Sequence, residues 1–493
     1  MGTYTFSKYD YCKCLVCPKK LWLDRHKPQE ADKSREEVSS IFAGNSAKNL
    51  ALTLWGKFVK VPFSEDLAEM TFATGQFLKS GEKNIAGATF CYKEAFCRID
   101  MLRLLSSKEI EFYLIKNTVS IKCGAEDELD FQYYVLTECG FVVRKACIVY
   151  VNNRYERYGE LEKEKLFVIK DCTDRACAKY GELAKSLQAF KVYASTIDEP
   201  EQEAEYTCKS CTYFRYCDKK MPKDGSATVF DIVNLKKASD LYQAGLVSFR
   251  QLYDAGLLKG NQLQQVEVEL NNLPPQIKKK ELKEFLKTLS YPIYFLDFES
   301  FNPVVPLYDN SKPYQQIVFQ YSLHYQKRAG GKLWHKEFLA MPGADPRRQV
   351  AEQLCKDIPK DTCTTAYNMS FEKAQIRDLA TLYPDLYDHL MNIHDNIRDL
   401  MIPFKKRMYY TKEMAGYYSI KIVLPALYPN DPNLDYNKLE GVHNGGEASS
   451  AFLAMQNMKG KELESKRAQL LKYCCLDTLA MVKVLEKLRE AVL

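Results

Sequence analysis

Hydrophobic and polar positions follow two periods along this chain. Around 291–300, Tyr-Pro-Ile-Tyr-Phe-Leu-Asp-Phe-Glu-Ser, the residues are apolar as far as Leu296 and then give way to carboxylates. This predicts a buried strand whose carboxyl end carries Asp297 and Glu299 on one face, because strand side chains alternate. The runs 317–325 and 332–338 alternate on either side of Ala329-Gly330-Gly331 and predict a hairpin. A helix is expected from Asp345, a strand over 363–367, a strand-to-helix turn over 366–373 and a long helix over 469–493. In the first half, strands are expected around 98–102, 111–118, 141–143 and 148–151. Between the halves, Leu241, Leu246, Phe249, Leu252, Leu257 and Leu258 recur at helical spacing, interrupted by Gly245, Gly256 and Gly260. Short helices joined by glycine turns fit that pattern, after a linker-like stretch at 221–226. The expected class is α/β in three parts: 1–220, a helical connector 221–290, and 291–493.

Composition narrows the setting. The 493 residues are 46% hydrophobic and 27% charged, ordinary for a globular chain. No apolar run reaches membrane-spanning length and the start is polar and aromatic, so a cytoplasmic protein without a signal peptide is expected. The net charge of +6 leans weakly toward an anionic partner. Thirteen of the 17 cysteines lie at or before Cys217; clustered in a reducing compartment, they read as metal ligands rather than disulfides.

Two acids emerging together at a strand end raise each other's pKa unless a cation sits between them, and oxygen ligands suit a hard divalent ion such as magnesium or manganese. Downstream, Tyr473 and Asp477 share one helix face, and Glu372 supplies a third acid in Asn368-Met369-Ser370-Phe371-Glu372. These residues resemble the DnaQ-like 3′–5′ exonucleases of the DEDD superfamily, in the variant with Tyr-x-x-x-Asp as its last motif. The superfamily's middle motif ends in aspartate where this chain has Glu372, and Asp395 and Asp399 are the alternative third acids. The resemblance implies a ribonuclease-H-like domain in which Asp297, Glu299, Glu372 and Asp477 hold two magnesium or manganese ions and Tyr473 orients the attacking water. It also implies that the helix starts near Lys421 and Gly445 lie where substrate backbone is held. His324 and His443 are expected in packing or loops, and Phe298, Phe301 and Tyr367 as core or base-stacking side chains.

Near the N-terminus, Cys12, Cys14 and Cys17 precede a basic segment, and Cys208-x2-Cys211-x5-Cys217 follows much later. One early cysteine plus the later three makes four thiolates, enough for a 4Fe-4S cluster or a tetrahedral zinc. Cys17-Pro18-Lys19-Lys20-Leu21-Trp22 with the distant triplet resembles iron–sulfur RecB-like nucleases, including the CRISPR-associated ones, and by that resemblance Cys17 is the first ligand and a 4Fe-4S cluster the occupant. Cys91, Cys97, Cys139 and Cys147 read as small hydrophobes. The RecB-like PD-(D/E)XK motif is incomplete: Asp100, Lys116 and Gln132 match it, but Leu114 stands where a glutamate belongs and 44–48 lacks a histidine. A degraded nuclease site on an intact scaffold is expected, with Glu111 the one carboxylate placed to substitute.

The whole order resembles a bacterial family described as a domain of unknown function. It implies a metal-dependent 3′–5′ exonuclease acting on DNA or RNA, single-stranded DNA ends favoured, in repair or mobile-element defence and with protein partners from such a system. Two rivals remain: a non-catalytic nucleic-acid-binding subunit, and an endonuclease cutting with its N-terminal half. The connector resembles helix-hairpin-helix units, and its Lys278-Lys279-Lys280 run reads as a solvated helix face.

Overall fold

The alternation along the chain resolves into two principal sheets, one in each of two units. The structure is a computed structural model that describes residues 6–32, 41–201, 208, 211–218, 222 and 226–493. Most of the linker-like stretch 221–226, Lys209 and Ser210 within the cysteine motif, and the side chains of 44–46 lie outside the described residues. The first unit comprises 1–219 and 303–315, and the second 220–302 and 316–493. The helical stretch after 226 thus belongs to the second unit, and the segment between the first two strands of that unit's large sheet belongs to the first.

The first unit is built on six strands in sequential order: β1 (Val59–Lys60), β2 (Asn84–Tyr92), β3 (Ala95–Leu104), β4 (Glu109–Ile115), β5 (Val142–Val151) and β6 (Phe167–Asp171). The β1–β2 and β4–β5 pairs are parallel and the others antiparallel. The sequence suggested separate strands at 141–143 and 148–151; β5 is one continuous strand whose partner β4 shifts register at Ile110/Glu111. Helices Ala125–Glu138 and Thr173–Ser195 cover one face over a core that includes Ile99, Leu102, Phe112, Leu114 and Phe131. Met101, Tyr113, Cys147, Val149 and Val304 belong to a second core on the other face. Along β4, alternation sorts Phe112 and Leu114 into the first core and Tyr113 and Ile115 into the second. Cys97 and Cys147 are buried as expected, and Cys91 and Cys139 partly so.

In the second unit, a two-residue β7 (Gln276–Ile277) pairs with β13 (Tyr409–Tyr410), beside the large sheet of β8 (Ile293–Phe301), β9 (Ile317–Gln326), β10 (Leu333–Leu339), β11 (Cys363–Ala366) and β12 (Ile397–Asp399). Its order is β10-β9-β8-β11-β12, antiparallel across β10, β9 and β8 and parallel from β8 to β12. Central β8 is apolar on both faces up to its acidic end, which is what burial between helices demands. The helix Gly460–Glu490 lies across β8 and β9, held by the Gln320 amide donating to the Leu470 carbonyl (2.9 Å) and by Arg467 donating to Leu339 and Ala340 carbonyls. It starts nine residues before the apolar period does, because its first turns are charged and solvated. The glycine-punctuated stretch forms helices Ala238–Gln243, Phe249–Asp254 and Gly260–Leu270 around Val229, Phe249, Leu252 and Val266, and Gly245 and Gly256 take positive φ at the turns. Among the described residues no helix is long and apolar enough to cross a membrane.

Candidate metal-dependent nuclease site

The end of β8 delivers Asp297 and Glu299 to one face, and three further segments close on them. Helix Ser370–Leu382 contributes Glu372 from its first turn, entered through Asn368 at φ 72°, a left-handed turn that asparagine tolerates better than most residues. The Asn368 N–H donates to Asp399 Oδ1 (2.9 Å), which fixes the turn. The C-terminal helix contributes Tyr473, Cys474 and Asp477. Ligating atoms of Asp297, Glu299 and Cys474 lie within 4.8 Å of one another, with the Cys474 thiol 3.8 Å from Asp297 Oδ2. Glu372 is buried, and its Oε2 makes no hydrogen bond among the described residues.

Electrostatics report the same convergence. Burial and then the charges of Asp477, Glu299 and Glu372 push Asp297 well above the usual carboxylate range. Glu299 is pushed up to about 8 by burial and Asp477 and Glu372, against the pull of Lys421. Burial and the Asp399 carboxylate push Glu372 up to about 8. Asp477 rises to about 6 through burial, restrained by the Tyr436 hydroxyl, Lys421 and Tyr473. Four acids that repel one another, three of them buried and Asp297 partly so, one carrying an unpartnered oxygen, form a donor set that a hard divalent cation satisfies.

The Glu372 charge is felt at Asp297 and Glu299, while the ligating atoms within 4.8 Å of one another are those of Asp297, Glu299 and Cys474. Asp395 does not join them; its carboxylate is mostly exposed and pairs with His394. Asp399 is buried nearby, but its Oδ1 accepts the backbone N–H groups of Asn368 and Met401, the duty of a turn cap. Tyr473 lies at the site with its hydroxyl 3.3 Å from Lys421 Nζ, and Gly445 begins its helix beside Glu299, where a Cβ would stand 3.6 Å from Oε2. Phe298 and Phe301 are core, Phe301 being fully buried and stacked on Phe452, which leaves no face for a base. Tyr367 is half-buried and donates its hydroxyl proton to the Tyr418 carbonyl. His443 lies in a loop paired with Glu447, and the Lys278–Lys280 run is exposed.

Three participants escaped the sequence reading. Tyr436 donates its hydroxyl proton to Asp477 Oδ1 (2.7 Å) from an irregular segment, and no local pattern marks it. Lys421, noted only as a helix start, donates to the His443 carbonyl and lies over the rings of Tyr436 and Tyr473. Cys474 was in plain view within the motif, and the i+1 position of a helix made it look turned away.

In the first unit the four motif cysteines converge. Cys17 caps helix Pro18–His26, whose Lys19 and Lys20 N–H groups favour its thiolate, while burial and the charges of Cys208 and Cys211 raise its pKa. Burial pushes Cys217 up to about 11, with Cys17, Cys211 and Cys208 adding to the rise and Lys19 opposing it. Cys211 and Cys217 pack beside Trp22 and Tyr213, and four thiolates are a donor set of the kind that a zinc ion or an iron–sulfur cluster takes. Cys12 turns away toward the Gly124 carbonyl, and Cys14 packs into the sheet core.

The RecB-like residues are occupied otherwise. Asp100 accepts the Ile115 N–H (2.8 Å) and pairs with Lys48, while Lys116 and Lys8 both pair with Glu128. Gln132 donates to the Arg98 carbonyl (3.1 Å). Leu114 sits in the core of the face that Asp100 shares, whereas Glu111 points to the other face and binds Arg103 and Tyr113. Glu111, the alternative carboxylate for the missing ligand, is thus turned to the opposite face from Leu114. Asp100→Ala is expected to leave metal-dependent cleavage within twofold of the parent, as measured on labelled single strands.

Comparison with known proteins adds a boundary. Residues 294–419 match a domain of unknown function (DUF2779). That segment covers the β8 acids and Glu372 and stops before Tyr473. The chain is similar to the uncharacterized protein MG366 of Mycoplasma genitalium, 26% identical over 208 residues, 39% of this chain and 31% of that one. It is also similar to the uncharacterized protein UU173 of Ureaplasma parvum, 28% identical over 162 residues, 30% of this chain and 23% of that one. The matches thus span less than a third of the relatives' length. No solved structure matches.

Proposed function

We propose that the second unit is a metal-dependent 3′–5′ exonuclease of the DnaQ-like type, acting on single-stranded nucleic acid ends with DNA favoured. The observation that carries this reading is the gathering of Asp297, Glu299, Glu372 and Asp477 into one buried cluster, with Tyr473 beside it. The sheet order β10-β9-β8-β11-β12, with the acids leaving the central strand, is the order of a ribonuclease-H-like sheet and supports the same reading.

Asp297, Glu299, Glu372 and Asp477 would hold magnesium or manganese. When bound, the ions supply an activated water and neutralise charge on the departing oxygen. Tyr436 fixes the Asp477 carboxylate by a hydrogen bond, so that one of its oxygens is aimed. The Tyr473 hydroxyl, raised by burial and by Asp477, stays protonated and orients water rather than acting as a base. Lys421 adds positive charge beside the site for a phosphate. A groove of about 920 Å³ that reaches Met369 and Asp399 is lined by Lys280, Lys373, Arg398 and Lys406 together with Glu281, Glu284 and an apolar floor of Phe285, Ile397 and Ile402.

In the first unit, Cys17, Cys208, Cys211 and Cys217 would hold a 4Fe-4S cluster, or zinc as the alternative, in a structural role. The occupied carboxylates of its RecB-like site favour nucleic-acid binding over cutting. A bacterial repair or defence setting follows from the joining of two nuclease-like units.

The deciding experiment digests 3′-labelled and 5′-labelled single-stranded DNA and RNA with anaerobically purified protein, with magnesium or manganese and with chelator. Stepwise metal-dependent loss from the 3′ end is expected. Nicking of covalently closed circles would point to endonuclease chemistry, and tight binding without cleavage to a binding subunit.

A further inference from the structure

The second unit carries a separate cluster of soft ligands on the far side of the same helix backbone. His324 on β9 and His335 on β10 are directly opposed in the antiparallel register, with ring centroids 4.4 Å apart. Cys475, on the C-terminal helix that crosses these strands, brings its thiol to them, and ligating atoms of the three residues all lie within 4.8 Å of one another. Tetrahedral zinc with nitrogen and sulfur ligands needs separations of roughly 3.3–3.8 Å, a closure that small side-chain rotations supply.

The surroundings are arranged as they are around metal-bound imidazoles. His324 Nδ1 is hydrogen-bonded to the Thr478 hydroxyl (2.7 Å) and His335 Nε2 to the Ser322 hydroxyl (2.9 Å), and these two hydroxyls bond each other (2.7 Å). The second nitrogen of each ring makes no hydrogen bond among the described residues. Such anchoring of one ring nitrogen fixes the tautomer and orientation of a ligand histidine. The Glu337 carboxylate lies 4.0 Å from His335 Nε2, the nitrogen that Ser322 holds, so the protein supplies three donors and water the fourth. His324 is buried while the His335 side chain is 28% exposed, so the cluster has an inner wall and an entrance.

We propose that His324, His335 and Cys475 form a zinc site that clamps the C-terminal helix to the β9–β10 hairpin. Thiolate and imidazole donors select zinc over the magnesium or manganese favoured by the all-oxygen acids. The clamp acts on the helix that carries Cys474 and Asp477, on either side of Cys475, and so fixes the rotation at which those residues meet β8. Its existence does not depend on the exonuclease reading.

The test equilibrates the full chain, with its N-terminal cysteines as purified, with micromolar zinc in millimolar magnesium. After removal of free metal, zinc is counted by elemental analysis and melting is followed with and without zinc. The parent is expected to hold one equivalent more than either His335→Ala or Cys475→Ser, and zinc should raise its Tm by about 3–6 °C but leave the variants unmoved. With cobalt in place of zinc, the parent should show a thiolate-to-cobalt charge-transfer band that Cys475→Ser lacks. Because His335 is partly exposed, its variant keeps the core intact and decides the matter should Cys475→Ser fold poorly. Equal zinc content in parent and His335→Ala, with equal zinc-induced shifts, overturns the proposal.

Discussion

Asp297→Asn is expected to lower metal-dependent release of 3′ nucleotides by at least about a thousandfold while making the metal-free protein more stable. The two effects share one cause. Asp297 is buried among Glu299, Glu372 and Asp477 and its pKa is held high by burial and their charges, so removing its charge relieves repulsion that only a cation otherwise offsets. Relief of this kind is worth about 1–3 kcal/mol, or a rise of several degrees in Tm. The same groups set the pH dependence. A carboxyl whose folded pKa exceeds its unfolded value binds more protons folded than unfolded, so stability falls as pH rises through the interval. With Asp477 at about 6 and Glu299 and Glu372 at about 8, the metal-free chain should lose stability between about pH 4 and 8, and magnesium or manganese should restore it most at the upper end. Calorimetric scans at pH 5 and pH 8, with and without manganese, check this. Retained cleavage in Asp297→Asn, or a metal-free Tm that rises with pH, would remove the acid cluster from the chemistry.

The same cluster shows what a sequence can and cannot carry. Asp297 and Glu299 were readable because strand alternation places residues two apart on one face, and Tyr473 and Asp477 because a helix places residues four apart together. Glu372 was readable in position but not in reach: whether one more methylene overshoots depends on where the helix starts, and Asn368 sets that start through its left-handed turn. Tyr436 was out of range, since its hydrogen bond to Asp477 spans 41 residues from a segment without periodicity. On Asp100 the sequence identified the residue but not its partners, because the ion pair with Lys48 spans 52 residues. That Glu111 stands on the opposite face from Leu114 could be read in the sequence, as 111 and 114 are of opposite parity on one strand. Hydrophobic periodicity reports that a segment is buried and not which core buries it, so it gave no sign that 303–315 belongs with the first unit.

The cysteine site yields the other large effect. Cys217→Ser is expected to abolish metal incorporation in the first unit, with loss of the broad visible absorbance of an iron–sulfur cluster in anaerobically prepared protein, and to lower the unit's Tm by 10 °C or more. Structural metal sites contribute on the order of 10 kcal/mol because the ligands are brought together only by folding, and here they come from both ends of a unit some two hundred residues long. The protein contacts that close those ends without metal are modest. Among the described residues they include the Trp22 indole N–H to the Thr196 carbonyl (2.8 Å), the Asp32 N–H to the Thr212 carbonyl (2.8 Å), Glu199 shared between Lys19, Lys27 and Tyr216, and the packing of Trp22 and Leu23 on Tyr213. Each is worth about 1 kcal/mol, too little to replace a lost metal. Cys12→Ser is the matched control, since that thiol faces Gly124 and not the cluster, and it should keep both the metal and the Tm. Visible absorbance, iron and zinc content, and melting of the two variants side by side separate the outcomes. Iron lost from Cys217→Ser alone assigns the ligand, zinc lost in its place assigns the alternative metal, and equal metal in both variants would show that these four thiols are not the site.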